Sequence, residues 1–302
     1  MRALVPSRDE HLVTMADVDD PVRGDDEVLI AVEAFSVNRG ELFLLTEPRP
    51  GWRPGQDVAG SVVESGPGGP PAGTRVAALA DWEGWAERVT VPAARVAPLP
   101  DGLPVTAAAA LPLAGTTALR VLRRAGALWG ERMLVTGASG GVGHFVTQLA
   151  AAAGAQVTAV TRSEERGARL AELGAAEVVR TVEEADGLFD IVLETVAGDV
   201  FTAALRKTRP DGRIFWFGQA SREPITVPFP TAMGSHGVRI EVFSYHYTPA
   251  ARDEDLATLV RLVAEGRLRV EVGREAPWED TAAVLADLRD RRVRGKAVLT
   301  VS

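Results

Sequence analysis

The chain has 302 residues, with 33 Lys and Arg against 41 Asp and Glu and a net charge of −8. The length is that of about two domains, and the 46% hydrophobic and 25% charged residues exclude a disordered, collagenous or coiled-coil chain. The acidic balance disfavours nucleic acid as a partner, and the absence of cysteine excludes disulfides, thiolate zinc sites and thiol nucleophiles.

A β-rich region comes first. Residues 27–36 place Val28, Ile30 and Val32 at every second position, which predicts a strand with one buried face. Further strands, separated by turns rich in glycine and proline, are predicted at 57–64, 74–79 and 85–91. This part of the chain therefore predicts a small antiparallel barrel or sandwich.

An alanine-rich stretch from residue 104 to about 125 opens a region of different character. It predicts a helix, and strands alternate with helices after it. The strands are predicted at 132–136, 156–160, 177–179, 189–193, 213–217 and 238–243, and the helices at 141–153, 164–173 and 199–207. Six strands joined by crossover helices predict an α/β domain with a doubly wound parallel sheet.

Residues 133–161 contain no Asp, Glu, Lys or Arg, and the run is long enough for a membrane span. Its glycines and its interspersed His, Gln, Ser and Thr residues fit a lipid-facing helix poorly. A buried strand, a helix and a second buried strand explain the run better. Because the first residues also lack an apolar leader, the sequence predicts a cytoplasmic protein with no membrane partner.

The last fifty or so residues change character again. Apolar residues recur at helical spacing in 253–265 and 281–288, and residues 296–301 predict a final strand. We expect this tail to pack back on the N-terminal β region, which makes that domain discontinuous. The expected boundaries are 1–106, 107–248 and 249–302.

A glycine-rich turn between a strand and a helix carries the clearest chemical signal. Gly140 lets the backbone approach a pyrophosphate, and Gly143 lets the helix press against its strand. The first glycine of the usual G-x-G-x-x-G is Ala138 here, so a purely structural turn is the alternative. The position on the first of six strands favours dinucleotide binding, with contacts expected at Ser139, Gly140, Gly141 and Val142.

The end of the second strand bears on which dinucleotide is bound. An NAD enzyme places a carboxylate there for the ribose 2′-hydroxyl, but this chain has Thr161, Arg162 and Ser163. Arg162 and Arg166 can form charge-assisted hydrogen bonds to a 2′-phosphate, which favours NADPH. The alternative is that both arginines are solvated residues at the start of a surface helix.

Several ordered motifs resemble those of the medium-chain dehydrogenase/reductase superfamily. They are Val37-Asn-Arg-Gly-Glu41, Pro54-Gly-Gln-Asp-Val-Ala-Gly60, Leu111-Pro-Leu-Ala-Gly-Thr-Thr-Ala118 and Gly295-Lys-Ala-Val-Leu299. The resemblance covers nearly the whole chain and is to the zinc-free NADPH quinone oxidoreductase, or zeta-crystallin-like, branch. It implies a Rossmann domain with a six-stranded parallel sheet and a GroES-like β-barrel catalytic domain.

The resemblance also implies the chemistry. Zinc alcohol dehydrogenases of the superfamily carry Cys where Asn38 stands and His where Gln56 stands, so no metal is expected. The implied reaction is hydride transfer from NADPH to a quinone or an α,β-unsaturated carbonyl. By resemblance, cofactor contacts are expected at Asn38, Thr117, Phe217, Gly218, Gln219, Ser244 and Lys296, with Phe243 and Tyr245 across the mouth of the site.

Two aromatic residues have competing interpretations. Tyr245 is a candidate catalytic residue that could protonate an oxyanion, and the alternative is that it packs at an edge strand or in a dimer contact. Asn38 is the other candidate catalytic residue. Trp52 could stack on a quinone in the substrate pocket, or it could be a surface aromatic residue covering nearby prolines.

Two other functions stay open beside the leading one. A non-catalytic NADPH-binding protein would have the same cofactor motif, because no obligatory acid is visible. An NADH-linked carbonyl reductase would bind NADH more tightly and would not depend on Arg166. Similar proteins pair the sixth strand across a two-fold axis, so a homodimer is the expected assembly.

Overall fold

The structure is a computed structural model, and it describes residues 1–246 and 254–302. These residues form two compact units, one of 1–116 with 254–302 and the other of 117–246. The first division falls within a continuous helix, whereas the sequence predicts a boundary after residue 106. The reason is that the short helix before it packs on strands of the first unit. The second expected boundary, between 248 and 249, lies outside the described residues, as does Tyr247.

The first unit is built mainly of strands. Its strands are β1 (Arg2–Pro6), β2 (Val13–Asp17), β3 (Glu27–Val37), β4 (Asp57–Ser65), β5 (Arg75–Leu79), β6 (Arg88–Pro92), β7 (Val96–Pro98), β14 (Val272–Pro277) and β15 (Lys296–Thr300). Strands β1 and β2 form a hairpin, and the larger sheet has the order β14-β15-β3-β4-β5-β7 with β6 also paired to β3. All of its pairs are antiparallel except β14 with β15.

Alternating burial along β3 organises the core of this unit. Val28, Ile30 and Val32 are buried, as their spacing predicts, and Phe35 stacks on Trp85 with ring centroids 5.4 Å apart. The C-terminal strand β15 pairs with β3 over Ala297 to Thr300, so the tail does return to the N-terminal strands. This pairing places the start of β15 beside the end of β3.

Helices complete the first unit. They are α1 (Arg39–Thr46), α2 (Val105–Ala109), α3 (Pro112–Ala125, which continues into the second unit), α8 (Asp255–Ala264) and α9 (Thr281–Arg289). Among the described residues, no helix is long and apolar enough to cross a membrane.

The second unit is the predicted doubly wound α/β domain. Its strands are β8 (Arg132–Val135), β9 (Gln156–Val160), β10 (Glu177–Val179), β11 (Phe189–Glu194), β12 (Thr208–Trp216) and β13 (Arg239–Val242), and its helices are α4 (Gly143–Ala152), α5 (Glu164–Glu172), α6 (Gly198–Lys207) and α7 (Phe229–Gly234). The strand order is β10-β9-β8-β11-β12-β13, and every pair is parallel. The predicted fold class is therefore confirmed, and the order reverses between β8 and β11.

Candidate functional site

The turn after β8 has no room for side chains at two of its glycines. A Cβ on Gly143 would lie 2.5 Å from the carbonyl oxygen of Ala138, and one on Gly137 would lie 2.6 Å from Oγ1 of Thr195. A Cβ on Gly140 would lie 3.2 Å from the carbonyl oxygen of Gly137, which is tight but less severe. Glycine at these positions lets α4 start directly against the end of β8.

The N-terminus of α4 can accept an anion. Its N-cap residue is Val142, which provides no side-chain hydrogen bond, and no acidic residue lies in the first turn. The first N–H groups of a helix have no acceptor within the helix, and the helix dipole is positive at this end. The N–H of His144 donates to the carbonyl oxygen of Gly140 at 3.3 Å, and a phosphate group would supply acceptors that the side chains of the first turn do not, so this turn fits a dinucleotide.

The end of β9 lies against the glycine turn. The hydroxyl of Thr161 donates to Oγ of Ser139 at 3.2 Å, which joins two predicted cofactor residues. Ser163 is the N-cap of α5, and its hydroxyl oxygen accepts from the backbone N–H of Arg166 at 3.4 Å. Arg162 is exposed and Arg166 is partly buried, and the segment 161–163 carries no carboxylate.

A buried carboxylate at the end of β11 was not anticipated from the sequence. Glu194 is inaccessible to solvent, and one of its oxygens accepts from Oγ1 of Thr136 at 3.1 Å and from the N–H of Val196 at 2.8 Å. Burial raises the pKa of Glu194, although the hydrogen bonds that it accepts from backbone N–H groups lower this pKa in part. The available signal was an acidic residue directly after the apolar run Ile191-Val-Leu193 at the end of the strand.

Thr136 and Thr195, which directly follow β8 and β11, are hydrogen-bonded to each other. The N–H of Thr195 donates to Oγ1 of Thr136 at 2.9 Å, and the hydroxyl of Thr195 donates to the carbonyl oxygen of Thr136 at 3.0 Å. These bonds join the two strands at the position where the strand order reverses, which is where ligands of doubly wound sheets bind. Neither threonine was among the predicted site residues.

The segment after β12 continues along the end of β11. Phe217 donates its N–H to the carbonyl oxygen of Glu194 at 3.1 Å, and a Cβ on Gly218 would lie 2.6 Å from the carbonyl oxygen of Thr195. The side chain of Gln219 donates to the carbonyl oxygen of Glu223 at 3.1 Å. The predicted segment Phe217-Gly218-Gln219 therefore lies at the carboxyl edge of the sheet.

The segment after β13 brings further predicted residues to the same edge. Phe243 is buried and meets Phe217 edge to face, with ring centroids 6.0 Å apart. Ser244 and Tyr245 follow it, and Arg120 of α3 donates to the carbonyl oxygen of Tyr245 at 2.9 Å. Thr117, also on α3, is buried.

In the first unit, β15 places Lys296 beside Asn38. Nζ of Lys296 donates to Oδ1 of Asn38 and, at 3.0 Å, to Oδ2 of Asp57. Nδ2 of Asn38 donates to the same carboxylate oxygen at 2.8 Å. The motif that contains Asp57 indicates no role for it, and its contact with Lys296 cannot be predicted from the sequence because the contact depends on the return of the C-terminal strand.

A second buried acid, Glu41, lies beside this group. Its carboxylate accepts from the N–H groups of Asn38, Gly55 and Gln56 at 2.7, 3.1 and 3.2 Å. Burial raises the pKa of Glu41 to about 8, and the negative charge of Asp57 acts in the same direction. Glu41 thus joins the start of α1 to the segment preceding β4.

Trp52, expected in the substrate pocket, packs edge to face on Trp82, with ring centroids 5.3 Å apart. It is partly buried and also packs against the core of the first unit. This contact supplies a reason for its position apart from any ligand.

Two protein-family models match the chain. An alcohol dehydrogenase GroES-like domain matches residues 24–101, and a zinc-binding dehydrogenase domain matches residues 141–265. The first confirms the GroES-like character expected of the N-terminal domain. The second begins within the glycine turn.

Curated relatives and solved structures agree with these matches. The chain is 31% identical to the mouse mitochondrial NAD(P)H oxidoreductase RTN4IP1 over 299 residues, covering 87% of this chain and 72% of that protein. It is 32% identical to a Mycobacterium tuberculosis mycocerosic acid synthase-like polyketide synthase over 302 residues, covering 92% of this chain. The chain spans only 14% of the length of that synthase.

Two solved structures cover nearly the whole chain. Mycobacterial Rv1454c in complex with NADPH is 26% identical, with a TM-score of 0.89 over 99% of this chain and 100% of that one. A quinone oxidoreductase from Pseudomonas syringae pv. Tomato DC3000 is 25% identical, with a TM-score of 0.87 over 99% of both chains.

Proposed function

Because this chain belongs to the medium-chain dehydrogenase/reductase superfamily, we propose that it is an NADPH-dependent oxidoreductase that transfers a hydride to a quinone or an α,β-unsaturated carbonyl without zinc. The observation that carries this proposal is the anion-accepting glycine turn at the reversal of a parallel sheet, next to Arg162 and Arg166. When bound, NADPH supplies the hydride.

The residues of the second unit bind the cofactor in this proposal. The turn from Ser139 to Val142 holds the pyrophosphate through backbone N–H groups, and the close approach requires glycine at position 140. Arg162 and Arg166 hold the 2′-phosphate. They follow the end of β9, where an NAD enzyme has a carboxylate for the ribose 2′-hydroxyl and this chain has none, and guanidinium groups bind phosphate well. Thr117, Thr161, Ser163, Phe217, Gly218, Gln219 and Ser244 complete the proposed contacts.

The residues of the first unit support the zinc-free reaction. Asn38 and Gln56 stand where zinc enzymes of the superfamily carry Cys and His, and amide groups are poor zinc ligands. Quinones and unsaturated carbonyls withdraw electrons themselves, so positioning and hydrogen bonding to the developing oxyanion can supply the catalysis. Asn38 is the proposed donor, with Trp52 and Phe243 lining the substrate pocket.

One relative favours an enoyl thioester within this acceptor class. The chain is 33% identical over 184 residues to an acryloyl-coenzyme A reductase from Metallosphaera sedula, covering 60% of this chain and 54% of that protein. Acceptors for the test should therefore include crotonyl-coenzyme A beside simple quinones.

The cofactor assignment is tested by measuring dissociation constants for NADPH and NADH. Arg162→Ala and Arg166→Ala are each expected to weaken NADPH binding about tenfold and to leave NADH binding nearly unchanged, because each removes one charged contact to the extra phosphate. Arg169→Ala, in the same helix but paired with Glu172, is the matched control. An unchanged preference for NADPH in both test variants would contradict the assignment.

Turnover is tested by following NADPH absorbance with quinones and crotonyl-coenzyme A, with and without a chelator. Acceptor-dependent oxidation that survives chelation supports the proposal. Binding of NADPH without oxidation by any acceptor would favour a non-catalytic binding protein, and tighter binding of NADH would favour a carbonyl reductase. Tyr245→Phe tests Tyr245 as a proton donor, because phenylalanine differs from tyrosine only in lacking the hydroxyl group.

The proposed assembly is a homodimer through β13. This strand is the outer strand of its sheet, with one edge unpaired within the described chain, and Ile240 and Val242 on it are 49% and 72% exposed. An exposed edge strand with apolar side chains favours pairing with another strand, and a second copy of β13 is the partner that a two-fold axis supplies.

A further inference from the structure

The amide group of Asn38 is held between two opposite charges. Its oxygen accepts a hydrogen bond from the ammonium group of Lys296, and its nitrogen donates to Oδ2 of Asp57 at 2.8 Å. Lys296 and Asp57 are 2% and 0% exposed as side chains, whereas Asn38 is only partly buried. Reversing the amide would place its NH₂ group against the ammonium and its oxygen against the carboxylate, so the two charges fix one orientation.

The ammonium group of Lys296 has one acceptor for each of its three hydrogens. These acceptors are Oδ1 of Asn38, Oδ2 of Asp57 at 3.0 Å and the carbonyl oxygen of Val37 at 3.4 Å. A compact ammonium group suits three acceptors around one point, whereas the planar fork of arginine does not. The sequence has only two lysines, Lys207 and Lys296, among its 33 basic residues, so this geometry is met by an uncommon residue of the chain.

The carboxylate of Asp57 is equally constrained. Oδ2 also accepts from the hydroxyl of Ser36 at 2.5 Å, and Oδ1 accepts from the N–H of Leu113 in the first turn of α3 at 2.6 Å. Four donors and the adjacent positive helix end keep this carboxylate in place. Because Asp57 takes one hydrogen of the Asn38 NH₂ group, the other hydrogen remains for a further acceptor.

We propose that Lys296 and Asp57 are positioning residues that fix the amide of Asn38 and polarise its remaining N–H toward the acceptor oxygen. Lys296 withdraws electron density through the amide oxygen, which makes the N–H a stronger donor. This inference rests on the proposed function, since the acceptor oxygen gains negative charge when the hydride adds. In this inference Lys296 acts only through Asn38, and the proton that completes the reduction comes from solvent or from Tyr245, the candidate donor.

A double-mutant cycle tests whether Lys296 acts through Asn38. The variants are Lys296→Met, Asn38→Ala and their combination, with Lys207→Met as the matched control because it removes the other lysine, whose Nζ contacts the carbonyl oxygen of Ala185. Lys296→Met and Asn38→Ala are each expected to lower kcat by roughly tenfold or more, with KM for NADPH within about twofold. The combination is expected to match Asn38→Ala, because a positioning residue has no effect once the residue that it positions is absent.

The outcomes separate this inference from the proposed function. If none of the tested acceptors causes the wild-type protein to oxidise NADPH, the proposed function is refuted. An active wild type whose two losses multiply in the combined variant, or whose Lys296→Met variant keeps full kcat per folded molecule, overturns the positioning role. If Lys296→Met does not fold, Asp57→Asn replaces it, since it removes the charge that holds the nitrogen end of the amide.

A measurement that does not depend on turnover completes the test. Protein labelled with ¹⁵N-lysine gives signals from only two side-chain ammonium groups. Asn38→Ala is expected to shift the Lys296 signal and to leave the Lys207 signal in place, because only Lys296 contacts Asn38. Two unshifted signals would show that the contact is absent in solution and would overturn the inference.

Discussion

Ala197 donates its backbone N–H to both carboxylate oxygens of Glu194, each at 3.1 Å. The bonds hold Ala197 at φ 66° and ψ −163°, a region that only glycine occupies without strain. The buried acid at the end of β11 therefore dictates an unfavourable backbone conformation at the start of α6.

Replacing Ala197 with glycine is expected to stabilise the protein. The strain relieved is about 1–3 kcal/mol and the entropy lost with glycine is about 0.5–1 kcal/mol, so a net gain of about 1 kcal/mol follows. Thermal unfolding checks this, with an increase in Tm of about 2 °C. Ala168→Gly, on the exposed side of α5, is the control and should cost about 1 kcal/mol; a lower Tm for both variants would refute the strain.

Glu41 should make the stability of the protein depend on pH. Folded Glu41 keeps its proton up to a pKa of about 8, whereas the unfolded chain releases it near 4.5. Unfolding therefore releases a proton in this window, and stability falls as pH rises from about 4.5 to 8, by at most about 1.4 kcal/mol per pH unit.

Urea denaturation of the wild type and Glu41→Gln across that pH range measures this effect. The variant is expected to lose this slope because glutamine does not titrate, while Glu10→Gln, at an exposed site, should behave like the wild type. A wild-type slope that persists in Glu41→Gln would assign the pH dependence to another group.

Alanine at two glycines of the turn should separate folding from binding. Gly143→Ala places a Cβ 2.5 Å from a backbone oxygen, so it is expected to destabilise the second unit and abolish NADPH binding. Gly140→Ala meets backbone at 3.2 Å, so Tm should change little while the methyl group hinders the pyrophosphate and weakens binding about tenfold or more. Calorimetric titration and thermal unfolding of both variants check this, and equal losses of Tm would contradict the distinction.

A charge on β13 should prevent dimer formation. Val242→Lys is expected to convert a dimer to a monomer because it places a like charge at each copy of the strand on the two-fold axis. Light scattering with size-exclusion chromatography measures the mass. Val63→Lys, 47% exposed on β4 of the other unit, is the control. A wild-type monomer, or a dimer in the Val242 variant, would exclude the β13 interface.

The sequence was sufficient for the α/β domain because its signals are local. Apolar runs such as 133–135 and 191–193 indicate strands covered on both faces, and all six predicted strands of this domain are present. The glycine turn was equally recognisable, since its function depends on a backbone conformation that residues adjacent in the sequence determine. Strands β1, β2 and β14 were missed because their burial is irregular and gives no clear period of two, and β7 was missed because it has only three residues.

The candidate site was predicted less completely because its contacts join distant positions. Asn38 and Lys296 were both predicted as site residues, but no local sequence pattern indicates that they form a hydrogen bond with each other. Glu194 carries no signal beyond an acidic residue after the apolar run 191–193, and its role depends on the turn at Ala197. Tertiary placement, rather than residue type, decides these roles.

The bond between Asp57 and Lys296 joins positions 239 apart and has a consequence for synthesis on the ribosome. A nascent chain that has reached residue 246 already contains every strand of the parallel sheet, whereas β3 still lacks β15 and the carboxylate at 57 lacks its ammonium partner. The interior segment can therefore mature first, and the earlier-synthesised β unit must stay incomplete until translation passes position 296.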